Sequence, residues 1–152
     1  MHSFSPILVS YINNIKPKRC FEWGPGHSTS LFLKNISDDS LLFSIEHDIK
    51  YYNIVKNNTP ADPRWSLVLQ NATKRVSTYA HCIFNYSHFD IILVDGRRRV
   101  ECCFAAMSRL SPGGVILLHD SCRKQYTDII NPFINTIENI KDTLVFEPKI
   151  LL

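Results

Sequence analysis

The chain has 152 residues, of which 45% are hydrophobic and 20% charged, close to the norm for soluble globular domains, so bulk disorder is excluded. This length predicts a single domain over residues 1–152, and no apolar run approaches the roughly 20 residues of a membrane-spanning helix. The net charge of +3 is too small to predict nucleic-acid binding by itself.

The five cysteines and the N-terminal segment indicate the compartment. No CxxC pair occurs, so neither a zinc site nor a disulfide framework is indicated, and we expect buried thiols in a reducing environment. The first charged residues follow the N-terminal apolar stretch instead of preceding it, which argues against a secretory signal. We therefore expect a cytoplasmic protein.

Short apolar segments alternate with amphipathic segments along the chain. Ser5-Pro6 begins a helix that Pro17 ends. Strands are predicted at residues 19–23, 41–46, 65–70, 90–94, 115–118 and 143–147. Further helices are predicted at residues 28–35, 49–56, 100–110 and 125–140, with a weaker one over 73–86. This alternation predicts βαβ units and a mostly parallel α/β sheet.

In such sheets ligands bind outside the carboxyl ends of the strands, so the residues after each strand are the candidates for function. The first strand runs into Glu22-Trp23-Gly24-Pro25-Gly26, where the glycines permit a tight turn and a close approach of a ligand. Ser28 and Thr29 can cap the helix that follows. Because Thr29 stands where a dinucleotide motif has its third glycine, a pyrophosphate site is disfavoured, and a plain strand-to-helix turn is the alternative.

The second strand ends in an acid at a spacing typical of a ribose-binding residue. Glu46 follows Gly24 by 22 residues, and its carboxylate can accept hydrogen bonds from both hydroxyls of a ribose. A solvated acidic loop is the alternative interpretation.

Four motifs in order resemble the class I S-adenosylmethionine-dependent methyltransferases. They are E-x-G-x-G followed by S-T, the acid ending the second strand, FDIILVDG at 89–96 and LSPGGVILLHD at 110–120. The resemblance implies a Rossmann-like sheet of order 3-2-1-4-5-7-6. Because the chain ends soon after the sixth predicted strand, we expect order 3-2-1-4-5 with a reduced strand 6/7 region, in which the last strand is absent or limited to 149–152.

The resemblance also implies which residues bind S-adenosylmethionine. Glu22, Gly24 and Gly26 would line its methionine and ribose portion, and Ser28 and Thr29 would lie near its carboxylate. The remaining expected contacts are Glu46 at the ribose hydroxyls, His47 beside the adenine, Asn71, Ala72 and Thr73 at the adenine position, and Asp95 facing the sulfonium.

Within this class, Asp95 and Asp120 resemble the metal ligands of catechol-type O-methyltransferases. The resemblance implies Mg²⁺ held by Asp95 and Asp120, with Ser121 where that group has Asn and Arg98 where it has a basic lysine. Alternatively, Asp95 alone orients the acceptor and Asp120 has a structural role. His119 is a competing candidate for the catalytic base, or else a structural residue at the end of its strand.

We therefore expect methyl transfer from S-adenosylmethionine to a small hydroxylated acceptor such as a sugar or a phenol. Three consecutive arginines follow Asp95, at positions 97, 98 and 99. Arg97, Arg98 and Arg99 are either exposed to solvent as a charged segment or bind an anionic or polyhydroxylated acceptor. A homo-oligomer is compatible with the sequence. The alternative from another class is a non-catalytic cofactor-binding module or a fragment of a larger assembly, and a nucleotide-binding oxidoreductase is disfavoured by the missing third glycine.

Overall fold

Seven strands form one sheet in the computed structural model, which describes residues 4–72 and 78–149. The strands are β1 Arg19–Trp23, β2 Leu41–Glu46, β3 Trp65–Leu69, β4 Phe89–Val94, β5 Leu110–His119, β6 Ile134–Ile140 and β7 Thr143–Pro148. The helices are α1 Ser5–Ile15, α2 His27–Asn35, α3 Ile49–Asn58, α4 Thr78–His81, α5 Arg99–Met107 and α6 Lys124–Ile130, with 3₁₀ turns at Cys82–Asn85 and Asn131–Phe133.

The strand order is β3-β2-β1-β4-β5-β7-β6, which confirms the order 3-2-1-4-5 and the Rossmann-like fold. The first five strands in this order pair in parallel, whereas β7 pairs antiparallel with both β5 and β6. The parallel strands therefore present their carboxyl ends at one edge, where the candidate residues were expected.

The expectation of a reduced C-terminal region was wrong, because residues 134–140 form β6 and not the second half of a helix. Pro132 ends the helical segment in a 3₁₀ turn. The next residues pair with β7, and a register shift between Thr136 and Glu138 interrupts the alternation of the strand. The isoleucines at 134, 137 and 140 have a spacing of three that resembles a helix, but only Ile134 is buried.

The start of β5 also differs from the prediction. The Ser-Pro-Gly-Gly segment at 111–114, between the predicted helix at 100–110 and the predicted strand at 115–118, lies inside β5, whose pairing with β4 shifts register between Phe89 and Ile91. Gly114 is required there, because a Cβ would lie 2.7 Å from the carbonyl oxygen of Asp90. The segment therefore forms the irregular entry into the strand that ends at the candidate residue His119.

Both faces of the sheet are buried under helices, which accounts for the continuous apolar runs of the strands. One core cluster includes Phe21, Ile92 and Ile116 with side chains of α4 and α5, and the other includes Leu93 and Leu117 with side chains of α1 and α2. Among the described residues, no helix is long and apolar enough to cross a membrane.

Candidate active site at the carboxyl edge of the sheet

A cavity of about 720 Å³ opens at the carboxyl ends of the central strands. Its walls include the turn after β1, the acid at the end of β2 and the loop after β4. The residues that line it include Gly24, Glu46, His47, Tyr51, Asp95 and Arg99. The cavity thus lies where the sheet topology predicts a ligand.

The turn after β1 packs directly on the end of β4. Gly24 has φ +84°, and a Cβ on it would lie 2.4 Å from the carbonyl oxygen of Asp95. A Cβ on Gly26 would lie 2.8 Å from the hydroxyl oxygen of Tyr51, and the backbone N–H of Gly26 donates to Thr29 Oγ1 at 3.0 Å. Both glycines are therefore required, because Asp95 and Tyr51 approach the turn too closely for a side chain.

Glu22 lies beneath this turn and is completely buried. Its carboxylate accepts hydrogen bonds from Ser28 Oγ at 2.5 Å, Thr29 Oγ1 at 2.6 Å and Ser44 Oγ at 2.6 Å. Burial raises the pKa of Glu22 above its ordinary value, and the three hydroxyl groups oppose that rise. The structure brings Glu22, Ser28 and Thr29 together as a support for the turn, outside the lining of the cavity, so their contact with a cofactor stays a prediction.

Glu46 is 2% exposed, and it forms part of the cavity wall. Its Oε1 accepts hydrogen bonds from the backbone N–H groups of His47 at 2.8 Å and Asp48 at 2.9 Å, and His47 Nδ1 lies 2.9 Å from the same oxygen. Within the described residues all contacts of the carboxylate involve Oε1. Glu46 is therefore fixed through Oε1, and its Oε2 has no contact among the described residues.

The adenine position predicted after β3 is only partly described. Asn71 and Ala72 follow β3 but do not line the cavity, and Thr73 lies outside the described residues. Ala72 packs on the core, and the carbonyl oxygen of Asn71 accepts a hydrogen bond from Thr78 Oγ1 at 3.2 Å. Their predicted adenine contacts therefore stay predictions.

The ends of β4 and β5 are joined by an ion-paired cluster around His119. His119 Nδ1 lies 2.7 Å from Asp95 Oδ1, while His119 Nε2 lies 3.3 Å from Asp142 Oδ2 and 4.0 Å from Asp120 Oδ1. The hydrogen bond with Asp95 is the main cause that raises the pKa of His119 above 6.5, against the opposing effect of burial. The arrangement favours the protonated imidazole.

Arg99 completes the cluster from the first turn of α5. Its Nη2 lies 3.3 Å from Asp95 Oδ1, and its Nη1 lies 3.2 Å from Asp120 Oδ2. Arg123 approaches the same oxygen of Asp120 at 3.4 Å. The two carboxylates predicted to share Mg²⁺ are therefore bridged by a guanidinium.

The residues predicted to hold Mg²⁺ lie near one another in the structure. Asp95 and Asp120 are brought to the same place, and Ser121 is buried with its hydroxyl unpartnered among the described residues. However, the position between the carboxylates is taken by Arg99. The described residues bring three metal-ligand atoms within 4.8 Å of one another only at His119, Asp120 and Asp142, a set without Asp95. The predicted arrangement therefore does not fit a bridging Mg²⁺.

Sequence reasoning missed two members of this cluster. Asp142 lies in the turn between β6 and β7, a hairpin hidden by the helix predicted over 125–140. Arg99 was seen only as part of a charge run. No local signal in the sequence identifies its ion pairs, because Asp95 lies in the loop before α5 and Asp120 follows β5.

Comparison with known proteins supports the assignment from the fold. A family model described as a methyltransferase domain matches residues 21–121, which is more than half of the chain. The chain therefore belongs to this family of class I S-adenosylmethionine-dependent methyltransferases. No protein of curated function matches the sequence significantly.

Solved structures agree with the fold at low sequence identity. A methyltransferase-like protein from Silicibacter pomeroyi is 21% identical, with 97% of this chain and 87% of that chain covered and a TM-score of 0.75. An O-methyltransferase from Bacillus cereus in complex with SAH is 16% identical, with 96% and 80% covered and a TM-score of 0.78. The O-methyltransferase TomG from Streptomyces achromogenes, in complex with SAM, is 13% identical, with 95% and 79% covered and a TM-score of 0.74.

Proposed function

We propose that the chain transfers the methyl group of S-adenosylmethionine (SAM) to a hydroxyl oxygen of a small acceptor such as a phenol or a sugar. The observation that carries this proposal is the meeting of Gly24, Glu46 and Asp95 in one cavity of about 720 Å³ at the carboxyl edge of the sheet. A concave site with few, well-positioned polar groups is typical of small-molecule binding. The solved O-methyltransferases with SAH and SAM support the same reaction class.

The chain's own residues suit the parts of SAM. Gly24 lines the cavity, and the tight turn that Gly24 and Gly26 permit against Asp95 and Tyr51 presents backbone to the methionine portion. Glu46 offers Oε2 to the ribose hydroxyls while Oε1 is held by backbone N–H groups. His47, on the cavity wall beside Glu46, is positioned to contact the adenine. When bound, SAM supplies an electrophilic methyl group.

Asp95 is the residue proposed to receive the acceptor. Its described side-chain contacts all involve Oδ1, which His119 and Arg99 hold, so Oδ2 is available to accept a hydrogen bond from the acceptor hydroxyl. Holding that oxygen in line with the methyl group supplies orientation, and the Asp95 carboxylate attracts the proton that the hydroxyl loses.

In this proposal His119 is not the catalytic base. Its ring lies among the carboxylates of Asp95, Asp120 and Asp142, which favour the protonated form. Both ring nitrogens face carboxylates, so neither is free to take a proton from the acceptor. We assign His119 as a positioning residue for Asp95.

A transfer assay with labelled SAM tests the proposal. Catechols and reducing sugars serve as acceptors, and product is analysed for the position of the label. We expect methyl transfer to oxygen for at least one acceptor, and a loss of about a hundredfold in kcat for Asp95→Asn with little change in SAH affinity. Binding of SAH without transfer to any hydroxylated acceptor would favour the non-catalytic module instead.

A further inference from the structure

The guanidinium of Arg99 lies where four oxygen atoms from the ends of β4 and β5 converge. Its Nε donates to the carbonyl oxygen of Gly96 at 2.9 Å, and its Nη1 donates to the carbonyl oxygen of His119 at 2.6 Å. The remaining two oxygens are Asp120 Oδ2, 3.2 Å from Nη1, and Asp95 Oδ1, 3.3 Å from Nη2. All three nitrogens are engaged, and the side chain is 12% exposed.

An oxygen-lined position between two carboxylates is the environment that Mg²⁺ or Mn²⁺ requires. Two such carboxylates repel each other unless a cation lies between them. In this chain the guanidinium supplies that cation, and it would repel a divalent ion placed beside it. We propose that the guanidinium of Arg99 takes the place of a divalent metal ion in the cavity. Its permanent positive charge then holds the Asp95 carboxylate in position.

The fold holds Arg99 in this role. It begins α5, one turn after Asp95, and the ring of Tyr126 lies 5.8 Å from its guanidinium carbon. Arginine keeps its charge over the whole range of pH in which proteins fold. The cleft therefore carries a fixed positive charge that neither a chelator nor a change of pH removes.

The positive charge of Arg99 also disfavours a divalent ion at the second group of ligand atoms nearby. His119, Asp120 and Asp142 come within 4.8 Å of one another, but Asp120 already contacts the guanidinium groups of Arg99 and Arg123. A divalent ion bound to Asp120 would compete with both. Removal of the Arg99 charge is therefore the change that should create a metal site here.

This inference rests on the proposed function, because it concerns the same cavity. Metal binding, however, can be measured without a methyl donor or an acceptor. Mn²⁺ is the probe, and the electron paramagnetic resonance signal of free Mn²⁺ reports how much remains unbound. The proteins compared are wild type, Arg99→Gln, Arg97→Gln, Asp120→Asn and Arg99→Gln combined with Asp120→Asn. Arg97 is the matched control, since it lines the same cavity and its side chain has no ion pair among the described residues.

We expect wild type and Arg97→Gln to leave the Mn²⁺ signal unchanged. Arg99→Gln should bind Mn²⁺ about tenfold or more tightly than wild type, and the added Asp120→Asn should abolish the gain. Mn²⁺ binding by wild type that Asp120→Asn removes would overturn the proposal, as would no gain in a folded Arg99→Gln protein. If Arg99→Gln does not fold, the comparison of wild type with Asp120→Asn decides the question.

Discussion

Asp95 Oδ1 lies 2.7 Å from Nδ1 of His119, and this contact joins the ends of two adjacent parallel strands. Since the same oxygen also contacts Arg99, the carboxylate of Asp95 is held in one orientation by two basic groups. The proposed acceptor-binding residue is therefore fixed before an acceptor arrives, which is the condition for catalysis by orientation.

Stability should depend on pH through His119. Its pKa is raised above 6.5 in the folded state, mainly by the hydrogen bond with Asp95. The contribution of the pair to the free energy of unfolding is therefore fully present below the unfolded pKa and is lost as pH rises through the folded pKa. Urea denaturation across this range should show the loss in wild type but not in His119→Gln. A His119 pKa below 6.5 in an NMR titration would contradict this prediction.

Gly24→Ala should destabilise the protein more than Gly113→Ala does. Both glycines have positive φ, at +84° and +78°, so both substitutions incur the left-handed backbone cost of about 1–2 kcal/mol. Only at Gly24 does the added Cβ meet the backbone of Asp95, whereas nothing lies within 4 Å at Gly113. Thermal and urea unfolding measure the difference, and equal losses in free energy of unfolding would argue against the close approach.

Glu22 should contribute to stability through its three hydroxyl partners. Replacement by Ala leaves the hydroxyl groups of Ser28, Thr29 and Ser44 without their acceptor in a buried place, which should cost about 3 kcal/mol of unfolding free energy. Asp128→Ala, at an exposed position of α6, is the control and should change little. Equal unfolding midpoints in urea for the two variants would contradict a supporting role of Glu22.

Glu46→Gln should weaken cofactor binding without unfolding the protein. The amide keeps an acceptor for the backbone N–H groups of His47 and Asp48 but loses the charge offered to the ribose, so SAH affinity should fall about tenfold. Glu101→Gln removes a charge from the same cavity wall and is the matched control. Calorimetric titration with SAH distinguishes the two, and unchanged affinity would assign the ribose to another residue.

The central strands and their ends were predictable because their signals are local. A glycine-rich turn and continuous apolar runs identify β1, β2 and β4, and the parallel topology then places Gly24, Glu46 and Asp95 together. The hairpin of β6 and β7 was not predictable from periodicity, since the isoleucines at 134, 137 and 140 have a helical spacing although Ile137 and Ile140 are exposed on a strand. Asp142 was missed with it.

Two roles within the site depend on contacts that spacing does not encode. Glu22 was expected on the cavity wall, but the strand alternation and the hydroxyl group of Ser44 place it beneath the turn. The bridge from Arg99 to Asp120 joins side chains far apart in the chain, and only the adjacency of β4 and β5 brings them together.

The most direct test of the central claim is a calorimetric titration of the wild-type chain with SAH and, separately, with NAD. The cavity holds a glycine turn without the third glycine of a dinucleotide motif, and its wall includes Glu46, the residue that we propose binds the ribose of SAM. The account predicts saturable SAH binding at one site per chain and NAD binding that is at least about tenfold weaker. NAD binding tighter than that of SAH, or no SAH binding by the folded protein, would contradict it.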